Sequence, residues 1–275
     1  MAQDLSSCNA TLLDFARLIE SGRCNGWEGG LKTGVDLGTA NIVLAVVDEK
    51  NRPVAGATYP STVVRDGIVV DYTGAVRVVK RLKQQLEELL GVSLEKAACA
   101  IPPGIMEGNK KAIGNVVEAA DFYLTNIVDE PTAASSVLGI TDGAVVDVGG
   151  GTTGISILKN GEVIFTGDEP TGGTHMTLVL AGFHGCGTEE AEEVKRDPAR
   201  ESDVFPVVKP VVEKMASIVR NYLRGYPVDA IYVVGGACCF RQFEQVFEKV
   251  LGIPVFKPTA PLLVTPLGIA MNCTD

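Results

Sequence analysis

The sequence predicts an α/β fold in which one strand–turn–strand unit is used twice. Three observations carry this reading. Apolar runs of strand length mix with longer stretches whose apolar residues recur at helical spacing. Two of the runs end in an aspartate and a glycine turn, Asp36-Leu37-Gly38-Thr39 and Asp147-Val148-Gly149-Gly150-Gly151-Thr152. Aligning Asp36 with Asp147 also aligns Gly38 with Gly149 and Gly56 with Gly167, without a gap. From Asp36 to Gly56 only those three positions are identical, so the two halves are expected to resemble each other in structure more than in sequence.

The elements follow in chain order. Residues 7–20 carry Leu12, Leu13, Phe15, Leu18 and Ile19 in a short amphipathic helical pattern. A Gly-rich connector over 21–34 holds the only tryptophan, Trp27. Strand signal runs from 35 to 47, broken at Gly38-Thr39-Ala40-Asn41, and a polar turn at 48–51 returns the chain as an antiparallel strand over 53–59. Val76, Val79, Leu82, Leu86 and Leu89 mark a helix over 73–90. A buried strand over 97–101 stops at Pro102-Pro103-Gly104, and a helix over 107–121 leads to a strand at 125–128. Asp129-Glu130-Pro131-Thr132 then opens a helix ending near Gly139, with Pro131 in the first turn, where a missing N–H costs least. The strand–turn–strand unit repeats over 145–158. After Gly172-Gly173 come a helix at 174–182, a charged segment at 189–200 and a long helix at 207–224. A buried strand at 230–234 runs into Gly235-Gly236; a helix at 240–250, a strand at 253–256 and a terminal helix at 266–272 complete the chain.

Composition narrows the function. At 275 residues the chain suits one large domain or two intertwined halves, and 46% apolar content is ample to offset ordering entropy. The net charge of −10 excludes the basic footprint of a general nucleic-acid binder. Small phosphorylated ligands remain open, because backbone N–H groups bind them without a basic surface. No run of 18 apolar residues and no secretory leader pattern occur, so neither a membrane nor export is expected. Seven scattered cysteines without CxxC spacing, and only His175 and His184, argue against zinc and for free thiols in a reducing cytoplasm. The vicinal pair Cys238-Cys239 reads as two small buried residues beside a glycine turn, with redox activity as the alternative.

The chemistry sits in the turns. Glycines let a backbone turn tightly and bring its N–H groups to an anion. An acid at the head of such a turn repels phosphate unless a cation lies between, so Asp36 and Asp147 make sense as partners of hydrated Mg²⁺. The alternative is a pair of hairpins in which each Asp is a local cap. Recurrence of the turn, with a third Gly-Gly turn and an Asp-Glu-Pro-Thr segment, favours the ligand reading.

In this order, Asp36-Leu37-Gly38-Thr39-Ala40-Asn41, Asp129-Glu130-Pro131-Thr132-Ala133-Ala134, Asp147 to Thr153 and Val234-Gly235-Gly236-Ala237 resemble the actin-like ATPase superfamily of heat-shock chaperone ATPase domains, bacterial actins and sugar kinases. They look like its first phosphate loop, first connector, second phosphate loop and adenosine loop; Pro266-Leu267-Gly268-Ile269-Ala270 resembles the second connector. Within it, residues 127–182, with Val63 to Val69 and Lys209 to Met215, are most similar to the ethanolamine-utilisation protein J family, chaperone-like proteins of bacterial ethanolamine operons.

The resemblance implies two ribonuclease-H-like lobes around a nucleotide cleft: 1–30 as helix and connector, 31–135 as lobe I, 136–260 as lobe II, and 261–275 returning to lobe I. It implies ATP or ADP with Mg²⁺ as cofactors. Gly38, Thr39, Ala40 and Asn41 would meet the β and γ phosphates from one side, and Gly149, Gly150, Gly151 and Thr152 from the other. Asp36 and Asp147 would hold the metal, and Glu130 would orient or deprotonate the attacking water. Gly235, Gly236 and Ala237 would pass beneath the nucleoside, with Gly172 and Gly173 also near the nucleotide. Glu192 and Lys195 resemble a Glu-x-x-Lys pair that reaches the adenosine; a solvated helix face is the alternative. The catalytic lysine of chaperones would be Lys80, whose helix face equally suits solvent. Where chaperones stack an arginine on adenine stands Cys238-Cys239, with Arg241 displaced. The implied function is a chaperone-like, weak ATPase whose lobes open and close on a protein client, such as an ethanolamine-degrading enzyme or a microcompartment shell protein. The alternatives are a nucleotide-binding scaffold and, less favoured, a small-molecule kinase.

Overall fold

The computed structural model describes residues 4–274. After α1 (Ser6–Ser21), the first sheet begins with a meander of β1 (Leu31–Leu37), β2 (Asn41–Asp48) and β3 (Pro53–Pro60). A small hairpin, β4 (Val64–Arg65) and β5 (Ile68–Val69), leads to α2 (Tyr72–Leu90). β6 (Lys96–Ile101), α3 (Glu107–Ala119) and β7 (Tyr123–Asp129) complete the sheet in the order β3-β2-β1-β6-β7. α4 (Glu130–Leu138) carries the chain to the second sheet. There β8 (Gly143–Val148), β9 (Thr153–Lys159) and β10 (Glu162–Glu169) form the meander, and α5 (Gly173–His184), α6 (Thr188–Arg196) and α7 (Glu201–Tyr222) follow. β11 (Ile231–Val234), α8 (Phe243–Leu251) and β12 (Val255–Phe256) give the order β10-β9-β8-β11-β12, and α9 (Val264–Met271) returns to pack on β1.

The two sheets therefore share one topology: three antiparallel strands, then two strands parallel to the first across helical crossovers. In the registers, Asp36 faces Val43 and Asp147 faces Gly154, and the loops 38–41 and 149–152 close at equivalent pairs, Leu37 with Ile42 and Val148 with Thr153. Gly56 and Gly167 also acquire a common reason. Each lets an aromatic ring come close to the third strand, Phe15 of α1 in one lobe and Tyr222 of α7 in the other.

One buried cluster joins β1–β3, α2 and α3 through residues such as Val35, Leu44, Val79 and Ile113. Another joins β8, β9, α5, α7 and α8 through Val146, Ile155, Val208 and Phe247. A third lies between the lobes, where Leu12 and Phe15 of α1, Ala45 and Val47 of β2, Val145 of β8, Tyr232 and Val234 of β11 and Leu267 of α9 meet.

Three expectations need correction. The charged segment at 189–200 contains α6, whose only fully buried residue is Ala191; Thr188 to Arg196 is too polar to show an apolar stripe. The long helix starts at Glu201, six residues earlier than expected, and holds Pro206 and Pro210 inside it. Each proline removes one backbone bond, and burial of Val204, Phe205, Val208 and Val211 holds the helix together across them. The third correction concerns Cys239, which is exposed while Cys238 is buried. All seven cysteines are free, and no helix among the described residues is long and apolar enough to cross a membrane.

Candidate functional site: a cleft between two glycine turns

A cleft of about 440 Å³ opens between the lobes. Strand alternation aims its acids. Val35 and Leu37 point into the first lobe's core, which turns Asp36 to the opposite face; Val146 and Val148 do the same for Asp147. Both aspartates line the cleft, as does Glu130 from the start of α4. α4 is fixed there by Asp129, whose carboxylate caps it by accepting from the Thr132 N–H at 3.1 Å and also accepts from the Ser156 hydroxyl of β9 at 3.1 Å. Glu130 thus sits at a helix N-terminus, where partial positive charge favours a carboxylate.

Crowding works against ionisation. Burial, then the neighbouring Asp147, pushes Asp36 up to about 7. Burial lifts Asp147 to about 6, opposed by the Thr265 hydroxyl that donates to it. Glu130 is raised well above the ordinary range by burial and then by Asp147 and Asp36. Asp168, at the end of β10, is lifted to about 6 by burial, and one of its carboxylate oxygens is buried without a hydrogen-bond partner.

The second glycine turn is held from behind. Gly149 N–H closes it on the Thr152 carbonyl at 3.0 Å. The Gly149 and Gly150 carbonyls accept from the N–H groups of Gly173 and Thr174 at 2.9 and 2.8 Å. Because C=O and N–H oppose each other across a trans peptide, the following N–H groups, those of Gly150 and Gly151, point away from α5. Gly38, Thr39, Ala40, Asn41, Gly149, Gly150, Gly151 and Thr152 all border the cleft. The two turns also touch: a Cβ on Gly150 would lie 3.3 Å from Thr39 Cβ and 3.5 Å from Ala40 Cβ.

Gly173, Gly235, Gly236, Ala237, Glu192 and Lys195 line the rest of the cleft, together with Cys239, Phe240, Arg196 and Leu262. Gly172 does not. It lies behind the turn, where a Cβ would meet the Gly149 and Gly150 carbonyls at 2.7 Å. Lys195 donates to the Gly173 carbonyl at 3.0 Å and the Thr177 hydroxyl at 2.7 Å, which ties α6 to α5, and to Glu192 of its own helix at 2.6 Å. Lys80 is a clear miss. It projects from the outer face of α2, half exposed, and pairs with Asp121 at 2.9 Å, because Val79 and Leu82 claim the inner face. The sequence reading also passed over Thr265 and Asp168. Asp168 had a signal, since it directly follows the aligned Gly167; Thr265 lay just outside the expected terminal helix.

No group of three or more His, Cys, Asp or Glu able to hold a metal occurs among the described residues. Asp36 and Asp147 raise each other's cost of ionisation across the cleft, and one Asp147 oxygen is already taken by Thr265. That donor set fits a cation that keeps most of its waters, as Mg²⁺ does, and not an all-protein cage.

Family models match part of the chain each: MreB/Mbl protein over residues 56–183 and type IV pilus assembly protein PilM over 132–260. The crystal structure of MreB5 of Spiroplasma citri bound to AMPPNP superposes with a TM-score of 0.70 over 88% of this chain and 95% of that one, at 19% identity, which shows the actin-like fold. Chaperone protein HscA homolog of Burkholderia thailandensis is 26% identical over 75% of this chain, which spans 42% of that protein. Ethanolamine utilization protein EutJ of Salmonella typhimurium is 43% identical over 86% of this chain and 84% of its own length. The crystal structure of EutJ from Carboxydothermus hydrogenoformans superposes with a TM-score of 0.93 at 48% identity, covering 98% of this chain and 99% of that one. The two matched lobes, the glycine turns between them and this near-complete coverage lead to one statement: the chain belongs to the ethanolamine utilization protein EutJ family of the actin-like ATPase superfamily.

Proposed function

We propose that the protein is a chaperone-like ATPase of bacterial ethanolamine utilisation, binding Mg·ATP in the cleft and using lobe opening and closing to act on a protein client in the cytoplasm. An ethanolamine-degrading enzyme or a microcompartment shell protein is the kind of client intended. The observation that carries the nucleotide part is convergence: Asp36, Glu130 and Asp147 reach one cleft from two lobes, between two glycine turns. The AMPPNP-bound relative and the HscA similarity support it. Backbone N–H groups of the turns would bind the phosphates, Asp36 and Asp147 would hold waters of the cation, and Glu130 would orient the attacking water. A bound Mg²⁺ supplies charge neutralisation of the phosphates.

One observation favours a second reading, a nucleotide-binding scaffold without turnover. The cations lining the cleft, among the described residues, are Lys195 and Arg196 of α6, both already paired with Glu192, and Lys80 lies outside it. Glu130→Gln separates the readings. It keeps the shape and removes the proton-accepting carboxyl, so hydrolysis is expected to slow by roughly 100-fold while Mg·ATP affinity stays nearly intact, since water positioning matters in the transition state. Phosphate release and calorimetry on both proteins measure this. Equal turnover in the two would make Glu130 a helix-start residue only, and wild-type binding without turnover would leave the scaffold reading standing.

A further inference from the structure

The β4–β5 hairpin reaches across the cleft mouth from one lobe to the other. Its two-residue loop, Asp66-Gly67, is left-handed at both positions, φ +50° and +73°, the pattern of a type I′ turn. Its base is anchored in lobe I. The N–H groups of Val70 and Asp71 both donate to the Val63 carbonyl, at 2.8 and 3.1 Å, and Asp71 caps α2 by accepting from the Gly74 N–H at 2.9 Å. Gly67 lies against Pro102, where a Cβ would come within 2.7 Å of the ring. The tip leaves that lobe. A Cβ on Gly151 of the second glycine turn would overlap the Asp66 carboxylate and lie 2.9 Å from both Asp66 Cα and Thr39 Oγ1. Asp66, Thr39 and Gly151 therefore meet where both glycine turns come together, on the wall of the cleft that Asp36, Glu130 and Asp147 also line.

The turn geometry needs Asp, Asn or Gly at this position and does not need a charge. The charge has a consequence of its own. Asp66 sets a further carboxylate against the second glycine turn, at the rim of the cleft that its neighbour Gly67 lines, and its charge is felt by Asp168. A bare polyphosphate approaching the glycine turns meets like charge there; one carrying a divalent cation meets it largely neutralised.

We propose that the Asp66-Gly67 turn is a latch seated on Gly151 at the rim of the cleft, and that the Asp66 carboxylate makes the cleft selective for polyphosphate already complexed with a divalent cation. The proposal rests on the nucleotide reading above. It adds an element outside the two glycine turns that both closes the cleft and discriminates among ligands, and it explains why Gly151 tolerates no side chain.

Asp66→Asn and Asp66→Gly both keep the left-handed turn, and the residue is exposed, so folding is retained. Calorimetry of wild type and both variants is run with ATP in EDTA and with ATP in Mg²⁺. Both variants are expected to bind metal-free ATP about threefold tighter, the order of one solvent-screened unit charge nearby, with a smaller change for Mg·ATP. Hydrogen exchange of residues 63–70 in the wild type is expected to quicken on saturation with Mg²⁺ and a non-hydrolysable ATP analogue, as the tip leaves Gly151. Equal metal-free affinity in the three proteins, or hairpin amides unmoved by the analogue, overturns the latch while leaving nucleotide binding in place. A wild type that binds ATP under neither condition overturns the nucleotide reading, and the latch falls with it.

Discussion

At the level of single residues, the cleft is a place where carboxyl groups prefer to be neutral, and this has a measurable sign. Asp36 titrates near 7 in the fold against an ordinary 3.8, chiefly because burial penalises its charge. Between about pH 4 and 7 the folded chain keeps a proton that the unfolded chain has released, so stability falls as pH rises through that window and levels off above it. Asp36→Asn removes the penalty at nearly constant shape. Its thermal midpoint is expected to match wild type near pH 4 and to exceed it at pH 8, by a free energy of at most about 4 kcal/mol. Scanning calorimetry at several pH values decides this, and a wild-type midpoint that rises from pH 4 to 8 would contradict it. Residue type was legible in the sequence here: an aspartate before a glycine turn, met twice, marks both cleft acids. Direction was not. Lys80 and Lys195 are equally plausible as text, and only the packing of Val79 and Leu82 turns Lys80 outward. Asp66 was invisible for a related reason, because a hairpin tip declares its turn type and not the opposite lobe it reaches.

Elements show the same division. The strands around Asp36 and Asp147 were readable from apolar runs and turn residues, since each run faces its lobe's own core. α6 was not readable, because its support comes from polar contacts: Lys195 and Glu192 reaching Thr177 of α5. Proline misplaced the start of α7, since local propensity lost to the burial of four apolar side chains. α4 and α9 cross at very close backbone range. Gly268 of α9 lies so close to α4 that a Cβ there would overlap the Ala133 carbonyl. Backbone cannot move aside as a flexible side chain does, so Gly268→Ala must push the helices apart or distort one of them. A loss of about 1–3 kcal/mol or more is expected, seen as a lower urea midpoint with an unchanged slope. A variant as stable as wild type would mean that the crossing is looser than the backbone distances imply.

For the whole molecule, the question is whether two lobes built on one plan behave as one body. The repeated strand–turn–strand unit made two similar halves legible; the cluster that joins them was hidden, because it draws only one to three residues each from α1, β2, α4, β8, β11 and α9. α1 is the part of this joint contributed by no counterpart in the other half. Leu12 and Phe15 are fully buried in it, and Asn9 accepts a hydrogen bond from the Thr259 N–H at 2.7 Å, on the far lobe. The joint lies on the side of both sheets away from their separate cores, so unfolding either lobe strips apolar cover from the other. Unfolding in urea is therefore expected to be a single transition. Trp27, packed against the first lobe's core, provides a local signal, and far-UV circular dichroism reports both lobes. The two curves should coincide. Leu12→Ala, which touches neither lobe's own core, should lower stability by about 2–5 kcal/mol and shift both curves together. If the lobes are independent, the Trp27 curve will separate from the dichroism curve in the wild type. If α1 serves only the first lobe, Leu12→Ala will move the Trp27 transition and leave a second, unshifted phase in the dichroism.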